Sequence, residues 1–103
     1  MAINTRAKGR RNELRAKKLL EEAGYEVEIT KGSQKFNKSV DFFGLWDLIA
    51  INPKTIRFIQ VKSNRKASGI DQEAMNLWIT PDCCTKEMWV YKDRIKEPFI
   101  YYL

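Results

Sequence analysis

Three polar residues interrupt two strongly apolar runs in the middle of the sequence. The first run, Val40–Asn52, contains Asp47, and the second run, Thr55–Ser63, contains Gln60 and Lys62. An isolated buried carboxylate or ammonium group costs several kcal/mol unless it is paired, neutralised or bound to a metal. These three side chains are therefore the first candidates for chemistry.

The absence of histidine limits what that chemistry can be. The chain contains no histidine, so His-dependent triads and the usual general base are excluded, and catalysis must use carboxylates, lysine, tyrosine, cysteine or a metal-bound water. Cys83 and Cys84 are adjacent, and we expect free thiols because a bridge between neighbouring residues strains the peptide between them. A structural zinc site would need two more ligands and is not expected.

The two apolar runs are separated by a Pro-Lys dipeptide, which predicts a hairpin because proline suits the second position of a turn. If Asn52 pairs with Thr55, then Asp47 lies opposite Gln60, and Lys62 lies near them on the same face. Proline at this position favours type I geometry, which often comes with a longer or bulged loop, and a slip of one residue would reverse the facing. The alternatives are a satisfied buried acid at Asp47 and a lysine that reaches solvent from a strand end.

A basic amphipathic helix is predicted before the hairpin. Residues 5–23 are strong helix formers that follow a suitable N-cap, Thr5, and precede a natural C-cap, Gly24. Glu13 lies on a stripe of otherwise small or apolar residues. Two explanations are open: a surface pair with Lys17 at i, i+4, or a carboxylate directed inward where small neighbours let the helix approach a sheet.

The excess positive charge of the chain is concentrated in this helix. Of 19 Lys and Arg and 13 Asp and Glu, residues 1–18 hold seven cations against one acid, which accounts for the net charge of +6 and leaves twelve against twelve elsewhere. Such a patch attracts polyanions, of which nucleic acid is the first candidate. The alternative is a solvated helix face.

The remaining patterns complete the predicted fold. Tyr25–Lys31 alternates as a half-exposed strand does, and Ile70–Thr80 has apolar residues at helical spacing before a proline. Met88–Tyr91 and Phe99–Leu103 are short apolar strand candidates, and strand, helix and strand in succession form a parallel βαβ unit. We predict one α/β domain over residues 1–103, with a mixed central β-sheet flanked by helices in the order α-β-β-β-α-β-β.

Length and hydropathy indicate the kind of protein. A chain of 103 residues is one domain by size and can bury a core without disulfides. No segment approaches the roughly 20 apolar residues of a membrane span, and the N-terminus lacks the apolar stretch of a signal peptide. We therefore expect an intracellular, cytoplasmic protein with no membrane partner.

Taken together, these elements resemble a known nuclease superfamily. The basic helix with Glu13, a strand, the sequence Asp47-Leu48-Ile49-Ala50, a turn, and Ile59-Gln60-Val61-Lys62 resemble the PD-(D/E)XK nucleases. Within them, residues from about 8 to 92 are most similar to the small archaeal Holliday junction resolvases and the related VRR-NUC modules. The resemblance implies a restriction-endonuclease-like fold and a metal-dependent DNA endonuclease that acts as a homodimer, with branched DNA as one substrate class.

The resemblance also implies roles for individual residues. Asp47 and Gln60 would bind Mg²⁺, which Mn²⁺ can replace, together with the carbonyl of Val61 and with Glu13 directly or through water. Lys62 would orient the attacking water and stabilise negative charge on the phosphate. The superfamily has an acid where this chain has Gln60; Mrr-like members share the Gln-x-Lys pattern, but the loss of one negative charge weakens the affinity for a cation.

Further residues are candidates for contact with nucleic acid. They are cations of the first helix, of the basic loop over residues 31–39 and of the loop after the hairpin: Arg6, Lys8, Arg10, Arg11, Lys35, Lys38, Arg65 and Lys66. By resemblance, Ser33 or Ser39 would contact the scissile phosphate. Asp41 is a second candidate acid, but six residues of extended strand place it about 20 Å from Asp47 unless a bulge forms at Gly44.

Other classes of function remain open from the sequence. A catalytically inactive module could bind nucleic acid through the first helix, or a small interaction protein could present its basic face to an acidic partner. The apolar segment Phe99–Tyr102 is predicted to be a sheet edge or a dimer contact.

Overall fold

The computed structural model describes residues 5–30 and 41–103, and it describes side chains from Ala7 onward within those ranges. The elements follow the predicted order α-β-β-β-α-β-β, and they are α1 (Thr5–Glu22), β1 (Glu26–Ile29), β2 (Leu48–Ile51), β3 (Ile56–Ser63), α2 (Gly69–Leu77), β4 (Cys84–Tyr91) and β5 (Phe99–Tyr102). Neither of these helices is long and apolar enough to cross a bilayer, as far as the described ranges extend.

The strands form one mixed sheet in the order β1-β2-β3-β4-β5. The pairs β1–β2, β2–β3 and β4–β5 are antiparallel, and the pair β3–β4 is parallel. Helix α2 connects the two parallel strands, as expected for a βαβ unit. The predicted α/β fold with a mixed central sheet is therefore confirmed.

Helix α1 packs on one face of the sheet. Its Ala16 and Leu20 are buried at 0% and 1% exposure and meet a set of strand residues that share this face: Leu48, Ala50, Ile59, Val61, Trp89 and Tyr91. The small side chain of Ala16 lets the helix axis come close to the strands. The end of α1 is followed by Gly24, whose φ of 95° is the left-handed conformation that a glycine C-cap supplies.

The opposite face is covered by aromatic residues and by α2. Trp46, Phe58 and Trp78 form an aromatic group with ring centroids 4.9 to 6.1 Å apart, and Met75 is the buried residue of α2. Ser68 caps α2 by accepting a hydrogen bond from the Asp71 N–H. The two faces together give the sheet a core on each side.

The β2–β3 hairpin has the register that the sequence predicts. Asn52 N–H donates to the Thr55 carbonyl at 3.0 Å, and the pairs run from Ile51 with Ile56 to Leu48 with Ile59. The Asn52 Oδ1 atom accepts from the N–H groups of Lys54 and Thr55. This side-chain turn explains why a two-residue loop with proline keeps the strands in register.

The prediction of one strand from Val40 to Asn52 is wrong for Asp41–Asp47, and Val40 lies outside the described residues. There the chain makes a tight turn in which Phe42 N–H donates to the Trp46 carbonyl at 2.7 Å and Trp46 N–H donates back at 3.0 Å. Phe43 and Gly44 have φ values of 55° and 71°. Consecutive positive φ values are typical of a hairpin turn, so the apolar residues here serve to pack a turn against the sheet and not to extend a strand.

A buried ion pair connects β3 and β4. Glu87 is fully buried at 0% exposure and receives two hydrogen bonds from Arg57 at 2.7 and 2.8 Å, with further bonds from the Thr85 hydroxyl and the Trp89 indole. Burial raises the pKa of Glu87, but these hydrogen bonds outweigh burial and hold the pKa below its usual value. The hydrogen bonds of this carboxylate are thus directed to structural partners.

Candidate active site

A bulge at the start of β2 sets the position of Asp47. Its N–H donates to the Ile59 carbonyl at 2.9 Å, although Ile59 is already the partner of Leu48. Two consecutive residues therefore face one residue of β3, which is the arrangement of a β-bulge that redirects a side chain. The predicted position of Asp47 opposite Gln60 is wrong. The Asp47 carboxylate, on a residue that is 7% exposed, accepts a hydrogen bond from Val61 N–H at 2.8 Å.

The turn before β2 brings a second carboxylate to Asp47. The pairing of Phe42 with Trp46 brings their outer neighbours, Asp41 and Asp47, next to each other. The side chain of Asp41 is then within hydrogen-bonding reach of Asp47. The sequence allowed this approach only through a bulge at Gly44, and the structure achieves it through a tight turn that contains Gly44. Asp41 joins the candidate site through the turn.

Helix α1 contributes the third carboxylate, that of Glu13. Its side chain is 18% exposed and pairs with Arg10 at 3.3 Å, while Arg10 also donates to the Thr30 carbonyl. The alternative pairing of Glu13 with Lys17 does not occur, because Lys17 pairs with Glu21 at 3.8 Å. Glu13 therefore faces the sheet from the stripe that the sequence predicted.

The carboxylates influence one another's ionisation. Burial raises the pKa of Asp47 most strongly; the Val61 N–H lowers it, and the negative charges of Glu13 and Asp41 raise it further, to about 8. Burial also raises the pKa of Glu13, an effect that Arg10 opposes and Asp41 reinforces. The three acids thus form one electrostatic unit that a nearby positive charge would stabilise. We call Glu13, Asp41 and Asp47 the acidic cluster.

Gln60, Val61 and Lys62 follow one another along the last part of β3. Side chains alternate along a strand, and Val61 packs toward α1. Gln60 and Lys62 therefore point to the face of the sheet opposite to α1. The N–H and C=O of one strand residue point to the same side, so the Val61 carbonyl points in the direction of Asp47. Gln60 is half-buried.

Lys62 lines a cleft at the connection between β3 and α2. Together with Ser63, Arg65, Lys66, Ser68 and Asp71 it lines a volume of about 530 Å³. The Lys66 ammonium lies 4.3 Å from the centre of the Tyr101 ring, a cation–π contact that fixes its position. Two predicted nucleic-acid contacts, Arg65 and Lys66, therefore lie beside the predicted catalytic lysine. In the described part of the chain, no ion pair joins Lys62 to Glu13 or to Asp47.

The other predicted contacts have different environments. Lys8 pairs with Asp93 at 3.0 Å, and Arg11 is exposed on α1. Arg10 has structural partners in Glu13 and a backbone carbonyl, so its predicted contact with nucleic acid competes with a role in positioning the acid. Arg6 lies in the first turn of α1, outside the residues whose side chains are described, and Ser33, Lys35, Lys38 and Ser39 lie outside the described residues.

Sequence reasoning missed Asn12, which connects α1 to the end of β3. Its side chain is buried at 6% exposure and donates to the Ser63 hydroxyl at 2.8 Å, while its Oδ1 accepts from Arg15 at 3.1 Å. A single asparagine next to Glu13 in a basic helix carried no distinctive signal. Its bond to the residue after Lys62 holds the helix over the strand ends.

The donors of the site are oxygen atoms that suit a hard cation. Among residues 7–30 and 41–103, no three His, Cys, Asp or Glu side chains are grouped closely enough to form a complete metal cage. Mg²⁺ does not need such a cage, since it usually retains several waters and binds one or two carboxylates. The carboxylates of Asp47 and Glu13 and the Val61 carbonyl fit this requirement, whereas a part for the Gln60 amide oxygen, which leaves the opposite face of β3 from Val61, stays a prediction.

Comparison with known proteins identifies the class of fold and one solved structure that shares it. No protein-family model matches the sequence, and no curated protein does. By fold, this chain is similar to the Holliday junction resolvase Hjc from the archaeal hyperthermophile Archaeoglobus fulgidus, with a TM-score of 0.67 and 20% identity, over 89% of this chain and 73% of that chain. At this identity the likeness establishes the mixed α/β fold.

Proposed function

We propose that this chain is a metal-dependent endonuclease that hydrolyses phosphodiester bonds in DNA, with branched, Holliday-junction-like DNA as its substrate class. The proposal depends on one observation: Asp47 is bonded to the Val61 N–H, between Gln60 and Lys62, and its ionisation is influenced by the charges of Glu13 and Asp41. These groups lie in a fold shared with a Holliday junction resolvase. Such an enzyme would act inside the cell on its DNA and, by the family resemblance of its sequence, as a homodimer.

Mg²⁺ is the expected cofactor, with Mn²⁺ able to replace it. Asp47 and Glu13 would hold the ion with the Gln60 amide oxygen and the Val61 carbonyl, and Asp41 adds negative charge next to them. When bound, the ion would neutralise charge on the phosphate as a Lewis acid. The Val61 N–H holds the Asp47 carboxylate in place before any substrate arrives.

The protein's own groups position the reactants. Hydrolysis joins a water oxygen to phosphorus and breaks the bond to the leaving sugar oxygen, which takes up a proton. Lys62 would orient the attacking water and stabilise the charge that develops on the phosphate oxygens. Arg65 and Lys66, which share the cleft of Lys62, would hold the neighbouring backbone by salt-dependent contacts.

The test is cleavage of supercoiled, branched and linear DNA by the purified chain in Mg²⁺ or Mn²⁺. We expect Asp47→Asn and Lys62→Ala to lower the cleavage rate by about 100-fold or more. Lys54→Ala is the matched control, because Lys54 is an exposed lysine in the turn at the other end of β3. Full activity in both site variants would exclude the mechanism.

A second candidate function is a catalytically inactive nucleic-acid-binding module. The observation in its favour is Gln60, a neutral side chain where the nucleases it resembles have an acid. Salt-sensitive binding of DNA without cleavage in either metal would favour this candidate. Gln60→Glu then distinguishes a weakened site from an inactive one, since restoring the charge would raise metal affinity and cleavage only where the remaining groups are competent.

A further inference from the structure

A second cationic cleft lies on the α1 side of the strand ends. It has a volume of about 190 Å³ and is lined by Lys8, Arg11, Asn12, Arg15, Tyr91, Lys92, Asp93 and Arg94. Five of these side chains are cationic, and one, Asp93, is acidic. The volume equals about six water molecules, which is enough room for a phosphate group. We call it the α1–β4 cleft.

The two innermost cations of the cleft are fixed by the fold. Arg15 donates to Asn12 Oδ1 at 3.1 Å and to the Lys96 carbonyl at 2.6 Å, and its guanidinium lies 4.6 Å from the centre of the Tyr91 ring. Lys8 pairs with Asp93 at 3.0 Å. The charge of Asp93 is therefore already matched by Lys8, and the remaining cations of the cleft carry an uncompensated positive charge.

Tyr91 supplies an observation independent of this charge. Its side chain is 2% exposed, and among the described residues its hydroxyl has no hydrogen-bond partner. A buried unpaired hydroxyl costs roughly 1–3 kcal/mol, so a hydrogen-bond partner for it would stabilise the protein. Burial raises the pKa of Tyr91 to about 12, which keeps the hydroxyl protonated and able to donate to an anionic oxygen.

The cleft adjoins the candidate active site. Tyr91 is the register partner of Ser63, the residue after Lys62, and Ser63 accepts a hydrogen bond from Asn12 of the cleft. Asp47 bonds to Ile59, whose partner on β4 is Glu87. Tyr91 therefore lies two strand spacings across the sheet and four residues along it from Asp47, about 16 Å away. A polyanion bound at the acidic cluster would therefore reach the cleft within a short length of its backbone.

We propose that the α1–β4 cleft binds a backbone phosphate of the same nucleic acid whose scissile phosphate lies at the acidic cluster. Arg11, Arg15, Lys92 and Arg94 supply the charge, and the Tyr91 hydroxyl donates a hydrogen bond to a phosphate oxygen. This inference rests on the proposed function. It adds the direction in which the nucleic-acid strand crosses the protein, from β2 over β3 to β4. Neither Lys92 nor Arg94 was a candidate from the sequence.

The experiment measures binding of fluorescently labelled branched DNA by anisotropy, without divalent metal and at several salt concentrations. We expect Arg11→Ala and Lys92→Ala each to weaken binding about tenfold and to reduce the logarithmic salt slope by about one. The control Lys54→Ala removes the same charge from the far turn and should change neither quantity. Alanine is a strong helix former, so Arg11→Ala keeps α1 intact.

Tyr91→Phe separates a binding role from a structural one. It removes only the unpartnered hydroxyl, so we expect thermal stability to stay the same or rise while DNA affinity falls about threefold. Unchanged affinity and salt slope in all three cleft variants would overturn the inference, and the proposed function would still stand if Asp47→Asn abolished cleavage. No DNA binding by the unmodified chain would overturn both.

Inorganic phosphate tests the other source of the same chemistry. Phosphate alone should compete with DNA only weakly, in the millimolar range or above. A free phosphate displaces only one of the several contacts that the DNA backbone makes at the same time. If phosphate shifted the NMR signals of the cleft residues while the cleft variants bound DNA normally, the cleft would be a site for free phosphate, and the proposed path of the strand would be wrong.

Discussion

Opposing effects act on the ionisation of the Asp47 carboxyl. Burial and the charges of Glu13 and Asp41 disfavour its ionised form, whereas the Val61 N–H favours it, and the pKa rises to about 8. In the unfolded chain the same carboxyl ionises near pH 4. Between these values the folded state holds a proton that the unfolded state has lost, so this group lowers stability as the pH rises.

We therefore expect Asp47→Asn to stabilise the protein above about pH 6. The asparagine oxygen can still accept from Val61 N–H, while the repulsion from Glu13 and Asp41 disappears. The gain should be roughly 2 kcal/mol or more at pH 8 and should vanish near pH 4. Thermal or urea unfolding at pH 4, 6 and 8 measures it, and addition of Mg²⁺ should reduce the difference if the ion binds these acids. A variant that is less stable at every pH would contradict this account.

Prediction of individual residues from the sequence succeeded where an acidic side chain lies in an otherwise apolar pattern. Glu13 on an apolar helical stripe and Asp47 in an apolar run were both identified, and both lie in one electrostatic group. Asp41 was placed about 20 Å away because an extended strand was assumed. The glycine between aromatic residues was the available signal, but no local rule says whether such a glycine breaks a strand.

The turn before β2 is the element on which the acidic cluster depends. Gly44 has a φ of 71°, and the space that a Cβ atom would occupy there is open, so a substitution costs backbone strain and not a clash. We expect Gly44→Ala to destabilise the protein by about 1 kcal/mol. Urea unfolding measures this, and Mn²⁺ binding measures whether Asp41 still reaches Asp47.

Gly69 provides the matched control for that variant. It is also unobstructed, but it begins α2 without a positive φ, so Gly69→Ala should be neutral or slightly stabilising. Equal losses in the two variants would show that the left-handed conformation of Gly44 is not what holds the turn.

The Arg57–Glu87 pair connects the two parallel strands and should be costly to break. Arg57→Met leaves a carboxylate that is fully buried without its main partner, and we expect a loss of about 3–5 kcal/mol in the free energy of unfolding. Because the pKa of Glu87 is lowered, its stabilising contribution is present above about pH 4.3 and is lost as the pH falls through the folded-state pKa.

Urea unfolding of Arg57→Met, compared with Arg65→Met, is the measurement. Arg65 is exposed, so the same substitution there should stay within about 0.5 kcal/mol of the unmodified protein. Similar stability losses in both variants would mean that the buried pair contributes no more than a surface arginine.

At the level of elements, hydrophobic period and turn chemistry predicted the order of strands and helices and the register of the central hairpin. The pairing of Asn52 with Thr55 was correct because the asparagine side chain stabilises the short turn. The start of β2 was wrong because an aromatic-rich turn and a buried strand have the same composition. What distinguishes them is packing, such as that of Phe43 on Trp78, with 5.1 Å between ring centres.

For the whole molecule, the described part of the sheet has an exposed apolar edge at β5. Strand β5 is at the end of the strand order, and its Phe99, Ile100 and Tyr102 are 42%, 39% and 67% exposed. An exposed apolar edge strand is a surface that another chain can cover. This edge is the structural candidate for the proposed homodimer contact, which was predicted from the family resemblance and from the apolar segment Phe99–Tyr102.

We expect the unmodified chain to have a solution mass of twice its 12.1 kDa and Ile100→Lys to be monomeric, because a charge at this edge opposes pairing. Light scattering after size exclusion measures both. Ile79→Lys is the control, since Ile79 is 92% exposed but lies between α2 and β4, away from the edge. A dimer that survives Ile100→Lys would place the interface elsewhere.

The adjacent thiols have a practical consequence. Cys83 and Cys84 are free, with sulfur atoms 3.9 Å apart, and Cys84 is the register partner of Ile56 at the beginning of β3. Lys62 is six residues further along that strand, about 20 Å away. A fluorophore attached at Cys83 would therefore lie at the end of the sheet that faces away from both clefts. It would report on folding, association and tumbling of the protein without contacting bound nucleic acid.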